Sequence, residues 1–386
     1  MTDETILTNA RLVLRDRVVP GTVVIRDGEI AEVAEGPSRA GPATDLDGDL
    51  LMPGIVDVHT DNLERQVSPR LNARWPSASA FLAHDGQTAV AGVTTVLDAL
   101  CLGDLGFDEG RMRTARDGVR DLAALTAAGV LRSEHFLHLR CELPAGDMLA
   151  MLEDYHDHPL LRMVSLMDHS PGVGQYSDLD RYRALRVRTG TAPEEVEDRI
   201  TALVAQREAR SEPNRRALLA LFAGRDMPLA AHDDWDEAVV AANAADGVTM
   251  SEFPVNPRAA RAARRAGMAI IVGAPNLVRG GSHSGNIAAK DLVADGLADI
   301  IASDYVPPAM IEAAWKVVGM GRTVPEAVAM VTDNPARALG LTDRGRIAAG
   351  LRADLVRVRE HRGPGAAGDE AIPVVRAVWR GGERVA

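Results

Sequence analysis

Eight short apolar stretches, separated by helix-length segments, run through the middle of the chain and set what it can fold into. They are GIVDVH (54–59), TTVLDA (94–99), HFLHLRCE (135–142), MVSLMDH (163–169), LAAHD (229–233), MSEFPV (250–255), AIIVGAPN (269–276) and DIIASDY (299–305). Runs this short and this rich in Val, Ile and Leu read as strands buried on both faces, the signature of βα units on a parallel sheet. About eight such units favour closure into a (β/α)₈ TIM barrel. Aromatic residues make up only 3% of the chain. Its core must therefore be aliphatic, which suits parallel α/β packing.

The two ends have a different texture. ILTNARLVL, GTVVIRDGEI and ATDLDGDLL alternate apolar and polar positions and break at Asp27-Gly28 and Asp47-Gly48, both hairpin signals. GRIAAGLRADLVRVRE and PVVRAVWRGGERV bring the pattern back at the C-terminus. The expected organisation is α/β, with residues 53–341 as the barrel and residues 1–52 and 342–386 as the two parts of one small β-sandwich. Thr191 is placed to cap a helix beginning at Pro193, with Val196, Ile200, Leu203 and Val204 as its apolar stripe. Thr323 to Glu326 reads as a capping box; Pro335 should interrupt the helix that follows and Gly340 should end it.

Charge inside a buried strand needs a reason, and here it collects at the strands' C-terminal ends: His59 and Asp61, Glu142, His169, His232 and Asp304. That rim is where barrels of this kind carry their chemistry. Residues i and i+2 of a strand share a face, so His59 pairs with Asp61, and His138, Arg140 and Glu142 line up together. Three imidazoles and three carboxylates form a nitrogen–oxygen ligand set suited to one or two divalent ions: zinc, manganese or iron. Such an ion brings the pKa of a coordinated water towards neutrality. Asp304, on the last strand, is placed to take that water's proton.

A second constellation follows the seventh stretch. In GAPNLVRGGSHSGN (273–286), Gly280, Gly281 and Gly285 allow backbone N–H groups to approach an anion; Arg279 adds a forked cation, and Ser282, His283, Ser284 and Asn286 add neutral donors. Lys290, Arg70, Arg74 and Arg140 are further candidates for positive charge. The net charge of −12 argues against a nucleic acid or an anionic membrane as partner, but a local cluster of this kind can still hold a small polyanion. No apolar run reaches membrane-spanning length, the N-terminus lacks a signal-peptide layout, and two cysteines are too few for a disulfide framework. A cytoplasmic enzyme, with homodimer as the default assembly, is the expectation.

GIVDVH after LLMP, the spaced His and Asp residues, NPARALGL and GRIAAGLRADLV together resemble the amidohydrolase superfamily. Its usual first motif is His-x-His; this chain has His59-Thr60-Asp61. Longer blocks, HTDNLERQVSPR (59–70), WPSASAFLAHD (75–85), FLHLRCELP (136–144), SLMDHSPG (165–172), AAHDD (230–234) and SDYVP (303–307), are similar to the diphosphatase family of C–P lyase phosphonate metabolism. The resemblance implies His59, Asp61, Glu142, His169, His232 and Asp304 as metal-site residues. It also implies a small-molecule substrate, α-D-ribose 1-methylphosphonate 5-triphosphate, cleaved to the 5-phosphate and diphosphate. A C–N hydrolase on the same scaffold (cyclic amidase, deaminase or deacetylase) and a non-catalytic metal-binding scaffold remain open at this point.

Overall fold

The computed structural model describes residues 4–70, 73–106, 109–282, 284–362 and 371–386. The N-terminal segment supplies five strands: β1 (Glu4–Val13), β2 (Val18–Arg26), β3 (Glu29–Glu35), β4 (Thr44–Asp45) and β5 (Leu50–Pro53). β2 and β3 form the expected hairpin, and both turn residues, Asp27 (φ +51°) and Gly28 (φ +84°), take the left-handed conformation that matches the twist of the strands. The Asp47-Gly48 expectation needs correction. The pair does turn the chain (φ +56° and +73°), but β4 and β5 do not pair with each other. Each runs parallel to β1, β4 along its first half and β5 along its second, so the turn only steps the chain sideways along one neighbour.

The barrel strands follow: β6 (Ile55–Thr60), β7 (Val93–Leu102), β8 (Glu134–Glu142), β9 (Leu161–Met167), β10 (Leu229–His232), β11 (Met250–Glu252), β12 (Ala269–Gly273) and β13 (Ile300–Ala302). They pair in sequence order and all in parallel. The ends of the series meet at the rim, where Asp304 N donates to His59 O (3.0 Å) and Asp61 N donates to Asp304 O (2.8 Å). Every residue of β7 is buried, as a strand covered on both faces requires. Val56, Val58, Leu97, Met163, Met250 and Ile271 belong to one core cluster, while a larger one packs the strands against the helices.

β14 (Leu355–His361) returns to the terminal sheet antiparallel to β5, and β15 (Ile372–Arg380) and β16 (Glu383–Arg384) complete it. Leu7, Leu12, Val23, Leu355 and Trp379 join both termini in a single core.

Six helices matter for the site: α1 (Asn62–Val67), α2 (Ser77–Val90), α3 (Glu109–Ala127), α4 (Met148–Tyr155), α5 (Leu179–Arg188) and α6 (Pro193–Phe222). Thr191 does not cap α6; Ala192 occupies the cap position and offers no side-chain bond. The reason is local. Gly190 (φ +99°) ends α5, and Thr191 N donates to Arg186 O (3.0 Å), so Thr191 is spent closing the preceding helix. Val196, Ile200 and Leu203 are buried as the periodicity requires. The capping box at Thr323 and Glu326 forms, the helix restarts at Asp333 ahead of Pro335, and Gly340 (φ +70°) follows its end.

Candidate active site

At the C-terminal mouth of the barrel the chain repeatedly leaves its strands through a left-handed residue: Asp233 (φ +58°) after β10, Phe253 (φ +56°) after β11 and Asp304 (φ +56°) beyond β13. For residues with a side chain this conformation costs of order 1 kcal/mol or more, so its recurrence on one rim marks a functional surface. It also changes which side chains meet. Strict alternation sends Asp233 to the face opposite His232, yet His169, His232 and Asp233 offer ligand atoms within 4.8 Å of one another. His59, Asp61 and Asp304 form an adjacent group of the same kind. Asp61 achieves this from outside the strand, at the N-terminus of α1.

Behind the imidazoles lies a carboxylate that strand-end reasoning overlooked. Glu252, fully buried, accepts from His59 Nδ1 and His232 Nδ1, each at 2.6 Å, and from Ser165 Oγ at 3.1 Å. Burial alone raises its pKa, but His59 and the neighbouring imidazoles outweigh that and hold it well below the usual range. With both Nδ1 protons committed to Glu252, both Nε2 atoms are left as lone-pair donors. His59 Nε2 is buried and has no hydrogen-bond partner. An orphaned buried nitrogen beside two carboxylates fits a divalent cation, and the donor set is that of zinc, manganese or iron. Glu142 plays a similar part for His169, accepting from its Nδ1 (2.7 Å) and its backbone N (2.7 Å). Glu142 thus stands behind His169, outside the groups just described.

Asp304 is pushed up to about 7, by burial first and by the charge of Asp61 second. Arg140 lies between the two groups, with Nη2 3.3 Å from His232 Nε2 and Nη1 3.7 Å from Asp61 Oδ2.

Asp61, Arg140, His169, His232, Asp233 and Asp304 line the floor of a cavity of about 340 Å³. Arg279, Gly281, Ser282, Ser284 and Asn286 line one wall. Gly280 (φ +78°) instead ends the helix Ala274–Arg279, and His283 lies outside the described residues. Lys290 is exposed and does not line the cavity; nor do Arg70, which is exposed, or Arg74, which is tied to Asp117 (3.2 Å) on α3. Two other arginines do line it, Arg111 of α3 and Arg186 of α5. Neither stands at a strand end, so the strand pattern that revealed the rim gave no sign of them.

A parallel eight-stranded barrel carrying a sheet built from both termini, with imidazoles and carboxylates on its rim, defines an amidohydrolase. The amidohydrolase family pattern matches residues 209–386. Among solved structures, the chain resembles 5-methylcytosine deaminase from Klebsiella pneumoniae (TM-score 0.65, 16% identity, 99% of this chain and 97% of that one). It also resembles N-acetylglucosamine-6-phosphate deacetylase from Pasteurella multocida (TM-score 0.62, 13% identity, 99% of each chain). At such identities these neighbours establish the fold alone. Much nearer in sequence is the alpha-D-ribose 1-methylphosphonate 5-triphosphate diphosphatase of Escherichia coli K12, 41% identical over 98% of this chain and all of that protein. The chain belongs to that diphosphatase family of amidohydrolases.

Proposed function

We propose that the chain is a metal-dependent diphosphatase that hydrolyses α-D-ribose 1-methylphosphonate 5-triphosphate to α-D-ribose 1-methylphosphonate 5-phosphate and diphosphate. The observation that carries this reading is the cavity itself: Arg111, Arg140, Arg186 and Arg279 surround a floor of cation-binding donors. An acidic protein concentrates positive charge in this way where it must hold a polyanion. The E. coli relative, named for this activity, supports the same substrate class.

His59, Asp61, His169, His232, Asp233 and Asp304 are the residues that would hold one or two divalent ions, with Glu252 and Glu142 orienting the imidazoles. A bound ion supplies Lewis acidity towards a phosphoryl oxygen and acidifies water. Asp304 takes a proton from the attacking water and returns it to the departing group. Arg279 and its neighbouring donors hold one end of the substrate.

Phosphorus NMR of purified, metal-loaded protein with the ribose triphosphate tests the reading. Stoichiometric appearance of diphosphate and the 5-phosphate is expected. Turnover of dihydropyrimidines or N-acyl amino acids without diphosphate release would assign the site to C–N hydrolysis, and no turnover at full metal loading would leave only a scaffold.

A further inference from the structure

Three guanidinium groups on the wall beside the metal-binding floor have no assigned task. Arg140 has only 5% of its side chain exposed, yet Nε and Nη1 are buried without a hydrogen-bond partner. Arg111, 27% exposed, lies close enough to press on Arg140 as a like charge, and is fixed by a bond from its Nε to Glu64 Oε1 (3.0 Å). Arg186 stacks over the rings of Tyr182 and Tyr176, with centroids at 4.8 and 5.6 Å. Tyr176 lines the same cavity and lies in the field of both Arg186 and Arg111. Glu64 and Asp61 each face one of these like charges, and the remaining N–H groups of the forks are left for a further anion. Holding each by a carboxylate or an aromatic face keeps the forks in place before that anion arrives.

We infer that Arg111, Arg140 and Arg186 form a subsite for the terminal diphosphate of a triphosphate substrate, with Arg279 and its neighbours taking the less charged end. The inference rests on the function proposed above and adds the orientation of the substrate. Charge matching supports it: the departing diphosphate bears more negative charge than the phosphonate end, and it calls for the larger group of guanidinium forks in the cavity. Arg140 also reaches Asp61 and His232, so this wall adjoins the reacting centre. In the hydrolysis a water oxygen bonds to the phosphorus next to the ribose, and the anhydride bond to the bridging oxygen breaks. The electron pair stays on the diphosphate, and the water proton passes to Asp304. The charge that builds on the leaving group then faces the guanidinium forks.

The probe is inorganic diphosphate, titrated calorimetrically into the metal-loaded protein and used as a product inhibitor. Arg111→Gln and Arg186→Gln should each weaken diphosphate binding about tenfold or more, the equivalent of one charged hydrogen-bonded contact. Methylphosphonate binding and metal content should stay at the wild-type level, and Arg279→Ala should show the reverse preference. Arg111→Lys, which keeps the charge and loses the fork, should fall between. Unchanged diphosphate affinity in both Gln variants, or a loss confined to Arg279→Ala, overturns the assignment. If Arg111→Gln does not fold, Arg186→Gln decides alone. Failure of the wild type to release diphosphate from the ribose triphosphate counts against the proposed function, whereas the calorimetry still reports on the subsite.

Discussion

Among the described residues, two clusters of imidazoles and carboxylates lie within this fold, and they have opposite fates. At the barrel mouth, His59 and His232 are held from behind through Nδ1 by Glu252; His59 Nε2 has no hydrogen-bond partner, and His232 Nε2 faces Arg140 Nη2 at 3.3 Å. Outside the barrel, between α2 and strands β7 and β8, His84 and His135 share Asp98: His84 Nε2 is 2.7 Å from Oδ1, and His135 Nδ1 is 2.9 Å from Oδ2. The remaining nitrogens there are also occupied, His135 Nε2 by Asp85 (3.2 Å) and His84 Nδ1 by Asn62 (3.0 Å). Both clusters bring ligand-type atoms within 4.8 Å. Residue type therefore does not distinguish a metal centre from an ion-pair clamp. What distinguishes them is that His59 keeps an unpartnered Nε2 where both rings of the outer cluster are filled, and that a cavity adjoins the inner cluster. The outer cluster fastens α2, and through Asn62 the start of α1, to the barrel; the inner one is left with binding capacity.

Substitutions at the two clusters should therefore fail in different ways. The largest effect is expected from Asp304→Asn, which removes the proton carrier and should lower kcat by roughly 10²–10⁴-fold. Substrate should still bind, as measured by calorimetry. Activity near the wild-type level would remove Asp304 from that role. Next in size, Asp98→Asn leaves the His135 cation with Asp85 as its one remaining carboxylate in a fully buried site. It should destabilise the protein by about 3–5 kcal/mol in denaturant melts. Metal stoichiometry should not change, and a lost ion in this variant would break the distinction between the clusters. Smaller again, Glu252→Gln keeps the shape but weakens the hold on two imidazoles, and metal affinity should drop about 10–100-fold by chelator competition.

The sequence showed most clearly the features set by period and position. The eight buried strands, the capping box at Thr323 and the rim residues His59, His232 and Asp304 could all be read because burial and strand direction leave few alternatives. Residues reached by a break in the period were hidden. Asp233 joins the floor because its own left-handed backbone re-aims it, and a pattern of period two has no sign for that. Glu252 lies in MSEFPV, where the strand stops two residues after Met250. Its role depends on two rings from β6 and β10, a purely tertiary fact. Arg111 and Arg186 come from helices, where an arginine ordinarily faces solvent. His84 and Asp98 were visible as residues but carried no sign that α2 would press them together.

The outer clamp also sets a pH dependence, in a window where His169 of the inner cluster, raised to about 9 against burial by Glu142 and Asp233, titrates as well. His135 has a carboxylate at each nitrogen, Asp98 and Asp85, with His84 edge-on at 5.4 Å, while Arg132 lies 3.7 Å from Asp85. Burial opposes the imidazolium, but the two carboxylates outweigh it and raise His135 to about 9. A group whose pKa is raised on folding contributes its full stability below its unfolded value, about 6.5, and loses it as the pH climbs through 9. Asp98 is the mirror case. Held at about 2 by the imidazoles in spite of burial, it contributes fully above its ordinary value of 3.8 and loses that contribution as the pH falls towards 2. The clamp is therefore strongest between about pH 4 and 6.5, and the wild type should melt a few degrees lower at pH 9 than at pH 6. His135→Gln removes the titrating ring and should flatten that slope while lowering stability throughout. A slope undiminished in His135→Gln would assign the proton lost between pH 6.5 and 9 to another group, His169 first among them.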